Sequence, residues 1–265
     1  MTIQILVCTV AERFDRAIGV PLAQREGVSY LFSVQGVSCD ARLQMPEALV
    51  GRTDVRVLTM PGRGLSANRN HAIAHATGDI LMMADDDLTL YPSAFDEIRN
   101  VYASDETLDA ACFMLDDESG SPLRSYSAEP FAYSDRPRGT YFSSCEISIR
   151  HAAFFPPFDE RFGLGSEFLA CGEEEVFLHE AFRSGRNIKY FPITIGRMPR
   201  ATTGSRFAVD AGVRRSKGAV LCVMHGRMGA VLRCMKFAFL HCPLRRSVGF
   251  FIDMWRGISY IYNKV

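Results

Sequence analysis

Two acidic triplets are the residues whose types and spacing could do chemistry: Asp85-Asp86-Asp87 and Glu173-Glu174-Glu175. Carboxylates this close repel, and each raises its neighbour's pKa unless a cation neutralises them. A divalent ion meets that need. Mg²⁺ and Mn²⁺ take hard oxygen ligands, commonly one or two protein carboxylates with phosphate and water completing the shell. The competing reading of the aspartates is a solvated turn or a helix N-cap. The glutamates follow Cys171-Gly172 and open a helical segment, where the helix dipole favours acidic residues without any further role. The loop before them carries Gly163, Gly165 and Gly172, which let backbone approach a ligand or move as a lid. A carboxylate held beside such a loop can take the proton of a hydroxyl as a general base.

The elements that must position these groups follow from hydrophobic periodicity. Residues 3–10 form a short, nearly continuous apolar run, the pattern of a strand buried on both faces. Residues 12–24 have helical spacing. Segments 28–34 and 54–60 read as strands, each closed by a glycine-containing turn, and 65–76 reads as a helix ended before Gly78. A fourth strand, 79–84, runs directly into the aspartates. Such alternation predicts an open, doubly wound α/β sheet with helices on both faces. Ligands of these sheets bind off the carboxyl ends of the strands, where the aspartates stand. Further on, 93–102 is expected to be helical, 108–115 a strand, 116–138 a long surface excursion and 140–149 a strand. A helix over 173–184 and a strand at 188–191 complete the pattern.

The 30 basic and 30 acidic residues balance, but not locally. Residues 211–265 hold 10 of the basic side chains and 1 acidic one, so a basic extension of +9 follows a domain, 1–210, of −9. The extension mixes apolar runs with Arg and Lys and adds Trp255, Tyr260 and Tyr262. That composition suits helices lying on the inner face of an anionic membrane, and equally a helical cap or a dimer interface. Oligomeric state is left open. Nucleic acid is not expected as a partner, because no aromatic-basic reading motif is present.

Eight cysteines without a CxxC pair read as reduced, mostly buried thiols, hence a cytoplasmic setting. The first apolar run lacks a preceding basic region and is expected to be a strand rather than a signal peptide. No uncharged apolar run reaches the roughly 18 residues of a membrane span.

The segment Gly64-Leu65-Ser66-Ala67-Asn68-Arg69-Asn70, followed fifteen residues on by the aspartates, resembles the G-x-S-x-x-R-N and D-x-D stretch of family 2 glycosyltransferases with the GT-A fold. Similarly, FDERFGLG followed by GEEEVFLHEAFRSG resembles that family's acceptor loop and base motif, 86 residues beyond Asp87. The resemblance spans roughly residues 3–195. It implies a metal-dependent, inverting transferase that moves a sugar from a nucleotide-diphosphate donor, first a UDP-sugar, onto a saccharide or lipid-linked acceptor in cell-surface polysaccharide synthesis. It implies that Asp85 meets the ribose or base side of the donor, that Asp87 with Asp85 holds Mn²⁺ or Mg²⁺, and that Asp86 assists either. Thr9, Gln35, Arg69 and Asn70 would line the nucleotide pocket. Glu174 would be the base and Glu173 its acceptor-binding neighbour, with the two roles exchangeable by one register step. The chain departs from the family in having Cys8-Thr9 for Pro-Thr, Gln35 where an Asp usually reads the nucleoside, and Glu-Glu for Glu-Asp. Between Pro192 and Phe207 no histidine is available as a further metal ligand; Arg197, Arg200 or Arg206 would instead meet the diphosphate, against the reading of solvated surface arginines.

Three other classes compete. A glycosidase would use the two triplets as its carboxylate pair and release sugar without nucleotide. A nucleotidyltransferase would open with a Gly-rich phosphate loop, and residues 9–16 hold no glycine. A non-catalytic sugar-binding module would bind but not turn over.

Overall fold

The computed structural model describes residues 1–20, 24–38, 43–200, 203–241 and 244–263. Cys39 and Cys242 lie outside the described residues, as does part of the helix expected over 12–24. The chain forms two compact units, one of residues 1–63, 67–157 and 180–200, the other of residues 64–66, 158–179 and 201–265.

The first unit is built on a nine-stranded mixed sheet in the order β3-β2-β1-β4-β8-β6-β9-β5, with β7 added to β9. Its parallel half comprises β1 (Ile3–Val10), β2 (Val28–Gln35), β3 (Val55–Met60) and β4 (Ile80–Ala84). The other half comprises β5 (Thr89–Leu90), β6 (Ala110–Asp116), β7 (Phe131–Ala132), β8 (Ile147–Arg150) and β9 (Ile188–Arg197). β8 runs antiparallel to both β4 and β6, which marks the change from the parallel half.

The period-2 alternation of the strands sorts side chains onto two faces. Ile3, Ile5 and Val7 of β1, with Tyr30 and Phe32 of β2, pack with Phe95, Ile98 and Tyr102 of α3 (Ala94–Ser104) in one core. Cys8 and Ser33 belong to the opposite set. There Ser33 Oγ meets His71 Nδ1 of α2 (Leu65–Ala74) at 2.9 Å. Helices therefore cover both faces, which is why β4 is apolar throughout and β1 is buried along nearly its whole length, with only Gln4 and Thr9 polar.

Three expectations are corrected in this unit. The helix expected over 12–24 is a 3₁₀ turn, Ala11–Arg13, followed by the single turn α1 (Phe14–Ala17), which stops before Gly19, a residue costly in a helix interior. The strand expected over 140–149 is confined to β8. A capping box, in which Glu146 accepts from Ser143 N (2.5 Å) and Ser143 Oγ (2.7 Å), pulls residues 144–146 into a 3₁₀ turn. The last strand runs past 191 to Arg197, because the register shift between Cys112 and Met114 of β6 accommodates Pro192.

The second unit gathers residues 158–179 with two helices, α5 (Ala211–His241) and α6 (Leu244–Asn263), around Phe162, Leu169, Val176, Ala219, Cys234 and Met254. α5 is interrupted at Gly226, whose φ of 68° and ψ of 172° are not helical. Backbone meets backbone where the two helices cross. A Cβ on Gly257 would overlap the carbonyl oxygen of Arg215, and one on Gly218 would overlap that of Met254. Gly257→Ala is therefore expected to lower stability by about 1–3 kcal/mol, as overpacking does, read from urea unfolding. An unchanged midpoint would show that the helices separate freely.

No helix among the described residues is long and apolar enough to cross a membrane. The six described cysteines are free thiols, and five of them are buried. Burial pushes the Cys8 thiol up to about 12.

Candidate functional site

The aspartates occupy the carboxyl end of β4. Val7 of β1 is in register with Ala84, so Asp85, Asp86 and Asp87 follow at the level of Cys8, Thr9 and Val10. Each aspartate has a different environment, and that difference is the main electrostatic feature of the site.

Asp86 is held twice. Thr9 Oγ1 donates to its Oδ2 at 2.9 Å, and Arg13 Nη2 lies 2.5 Å from Oδ1. Asp85 is reached by Arg69 Nη2 at 3.4 Å, and its own N–H donates to Cys145 Sγ at 3.2 Å. Asp87 is exposed and takes no salt bridge or side-chain hydrogen bond from another described residue. Its carboxyl group is raised above the usual range by desolvation, then by the charges of Asp85 and Asp86, against a smaller opposing pull from Arg13. A strand end has thus been assembled with two carboxylates in ion pairs and the third left exposed without one.

Arg69 is the largest fully buried side chain among the described residues, 1 % exposed. Besides Asp85 it donates to Ser144 Oγ at 2.6 Å, so its guanidinium ties α2 to the turn before β8. Asn68, one residue earlier and also buried, donates from Nδ2 to Thr9 O (3.2 Å) and Ser33 O (3.0 Å). It clamps α2 to the ends of β1 and β2. Asn70 is half-buried on the same helix. Gln35 closes β2, buried and in register with Val10. Thr9, Gln35, Arg69, Asp85 and Asp86 are therefore all placed along one edge of the sheet, beside Asp87.

The second triplet opens α4 (Glu173–Arg183). Glu173 and Glu174 are both buried, at 4 % and 6 % exposure, which is unusual for carboxylates in a first helical turn. The loop before them folds back on itself: Gly163 N donates to Leu169 O at 3.0 Å, and Ser66 Oγ donates to Phe162 O at 2.7 Å. Gly163 has φ of +102°, and a Cβ there would lie 3.3 Å from Glu173 Oε1. Glycine is required both by the backbone and by the carboxylate beneath it. Gly172, at φ +98°, is held similarly close to Val220. Gly165 also has a positive φ, +85°.

The arginines between 197 and 206 divide. Arg200 Nη2 pairs with Asp117 Oδ2 at 2.7 Å, and Arg206 Nη2 lies 3.8 Å from Asp210 Oδ2. Both have local carboxylate partners.

Sequence reasoning gave no role to Arg13, Asn68, Ser144 or Cys145. Arg13 carried a usable signal, a cation three residues beyond the strand end that faces the aspartates. Ser144 lies 75 residues from Arg69, and nothing in the linear pattern joins them.

Residues 40–158, a little under half of the chain, match glycosyl transferase family 2. The match includes Arg69, Asn70 and the aspartates and ends before Gly163. Among curated proteins nothing matches the sequence. Solved structures of S. aureus TarS share the fold. TarS 1-349 aligns with a TM-score of 0.59 at 15 % identity, over 96 % of this chain and 81 % of that one. TarS 1-349 in complex with UDP-GlcNAc aligns at 0.58 and 14 % identity, over 100 % and 92 %. A further S. aureus TarS structure aligns at 0.56 and 15 %, over 98 % of this chain and 50 % of that one. The sequence of residues 40–158 is thus similar to glycosyl transferase family 2, and the mixed α/β sheet is similar in fold to the TarS structures.

Proposed function

We propose that the protein moves a sugar from a nucleotide-diphosphate donor onto a saccharide or lipid-linked acceptor, with inversion at the anomeric carbon. The observation that carries this reading is Asp87: an exposed carboxylate without a partner, beside two carboxylates that already have theirs. The TarS complexes with UDP-GlcNAc and with UDP make a UDP-sugar the first donor to try.

The residues present fit a divalent metal. Among the described residues no three acidic, His or Cys side chains converge as a ready-made cage. Asp87 and Asp85 would therefore supply one or two ligands, leaving the remaining positions to water and the donor's diphosphate. Bound there, a Mg²⁺ or Mn²⁺ ion would neutralise charge on the leaving diphosphate. The chain's own residues do the rest. Arg69 fixes Asp85, and Thr9 and Arg13 fix Asp86, so neither needs to reorganise when the donor arrives. Thr9, Gln35 and Asn70 are the polar residues placed near the strand ends where the nucleoside would lie.

Glu174 is assigned as the base and Glu173 as the acceptor-binding neighbour. The acceptor oxygen forms its bond to the anomeric carbon as the bond to the diphosphate breaks, and its proton passes to the Glu174 carboxylate. Glu174→Gln is expected to lower kcat by about 10²–10⁴-fold while leaving donor KM within a few-fold. If Glu173→Gln shows that loss instead, the two roles are exchanged. Cell-surface polysaccharide assembly is the pathway this chemistry serves in our reading.

The deciding experiment is turnover of UDP-, GDP- and dTDP-sugars by the full chain with and without Mn²⁺. Metal-dependent release of a nucleoside diphosphate supports the proposal. Sugar release without nucleotide would favour a glycosidase, pyrophosphate release from a nucleoside triphosphate a nucleotidyltransferase, and binding without turnover a sugar-binding module.

A further inference from the structure

The second unit buries one face of each C-terminal helix and leaves a second apolar face outside. On α5 after Gly226 the buried residues are Ala230, Cys234 and Ala238, one helical row. Met228, Leu232, Met235 and Phe239 form a different row, at spacings of 4, 3 and 4, and are 44 % to 74 % exposed. α6 repeats the arrangement. Met254, Ile258 and Ile261 are buried, whereas Val248, Ile252, Trp255 and Tyr262 follow a separate row at 37 % to 61 % exposure. An i, i+4, i+7 apolar row is how a helix faces a nonpolar phase, and here two helices present one to the outside.

The charge around these rows says what covers them. Arg227, Arg233 and Lys236 of α5 are exposed, as are Arg245, Arg246 and Arg256 of α6. Arg227 stands over the rings of both Trp255 (5.6 Å) and Tyr262 (4.5 Å), at the border between apolar and basic surface. Across residues 211–265 there is 1 acidic residue against 10 basic ones. A second copy of so basic a face would be repelled, and a nucleic acid would leave the apolar rows wet. An anionic bilayer accepts both, taking the apolar rows into its acyl boundary and the Arg and Lys at its headgroups. Neither helix can span, so each would lie in the interface.

We propose that the exposed faces of α5 and α6 seat the protein on an anionic lipid surface. Seating needs no donor or acceptor, so this inference stands or falls apart from the transferase reading.

Trp255 is the only tryptophan in the chain, and it lies on the exposed row of α6. Its fluorescence in the unmodified, full chain therefore reports directly. With vesicles of phosphatidylcholine and phosphatidylglycerol, emission is expected to shift to the blue and become protected from acrylamide. Partition into these vesicles should exceed that into phosphatidylcholine alone by at least about tenfold and fall in high salt, as attraction of basic residues to an anionic surface does. The double variant Leu232→Asp, Ile252→Asp, both sites being exposed, should lose binding while retaining its circular dichroism. Absence of a shift and of co-sedimentation with anionic vesicles would overturn the proposal. So would a concentration-dependent dimer, without lipid binding, that the double variant dissolves.

Discussion

Asp87→Ala is expected to reduce metal-dependent turnover of the nucleotide sugar about 10³-fold, the scale on which a preorganised electrostatic group at a reacting centre acts. The reason is the division of labour at the end of β4. Asp86 is committed to Thr9 and Arg13, and Asp85 already shares its charge with the buried Arg69, so neither neighbour takes over the ligand position of Asp87. A thermal readout separates this from misfolding. Desolvation and the charges of Asp85 and Asp86 hold the Asp87 carboxyl above its usual range. A raised carboxyl pKa means that the folded protein holds this proton more tightly than the unfolded chain does. Its contribution to stability is then present below the unfolded value and lost as pH rises through the folded one. At neutral pH the ionised group therefore weakens the metal-free protein. Asp87→Asn should keep or raise the metal-free Tm while activity collapses. Mn²⁺ should raise the Tm of the wild type and leave that of Asp87→Asn unmoved, by the linkage of binding to stability. A variant that retains turnover and a Mn²⁺-induced rise in Tm would remove Asp87 from the metal site.

Arg69→Met should be the most damaging single change to the fold of the site. The side chain is 1 % exposed, donates to Ser144 Oγ at 2.6 Å and faces Asp85 at 3.4 Å. Removing one partner of a buried charge interaction costs about 3–5 kcal/mol, which would appear as a shift in the urea midpoint. Arg69→Lys should recover little of this, because a single ammonium cannot reproduce a planar fork of donors. Donor binding should weaken along with stability, since Arg69 sets the position of Asp85. A variant with an unchanged midpoint and weakened donor binding would make Arg69 a direct ligand of the donor and not a structural tie.

The half of the fold that carries the aspartates was legible in advance for a physical reason. Strands covered on both faces are predominantly apolar along their length, and β1, β2 and β4 are such runs, separated by glycine and polar turns. A buried strand ending in three carboxylates is a conflict within the sequence itself, which is why the aspartates could be picked out without coordinates. Local hydrogen bonding was harder to foresee. The Ser143–Glu146 capping box converts what reads as strand into a 3₁₀ turn, and that turn places Ser144 and Cys145 beside the site.

The sequence by itself determined the kind of sheet, the strand end that bears the carboxylates, the motif that carries Arg69 and the basic character of residues 211–265. Each of these is a property of residue types at short range. Only the tertiary structure decided which aspartate is free. That choice depends on Thr9, Arg13 and Arg69, 77, 73 and 16 residues from their partners, being brought to the same sheet edge. It likewise decided which of two apolar rows on α5 and α6 is buried. Both rows have helical spacing, and close approach of the two helix backbones at Gly218 and Gly257, rather than hydrophobicity alone, selects one.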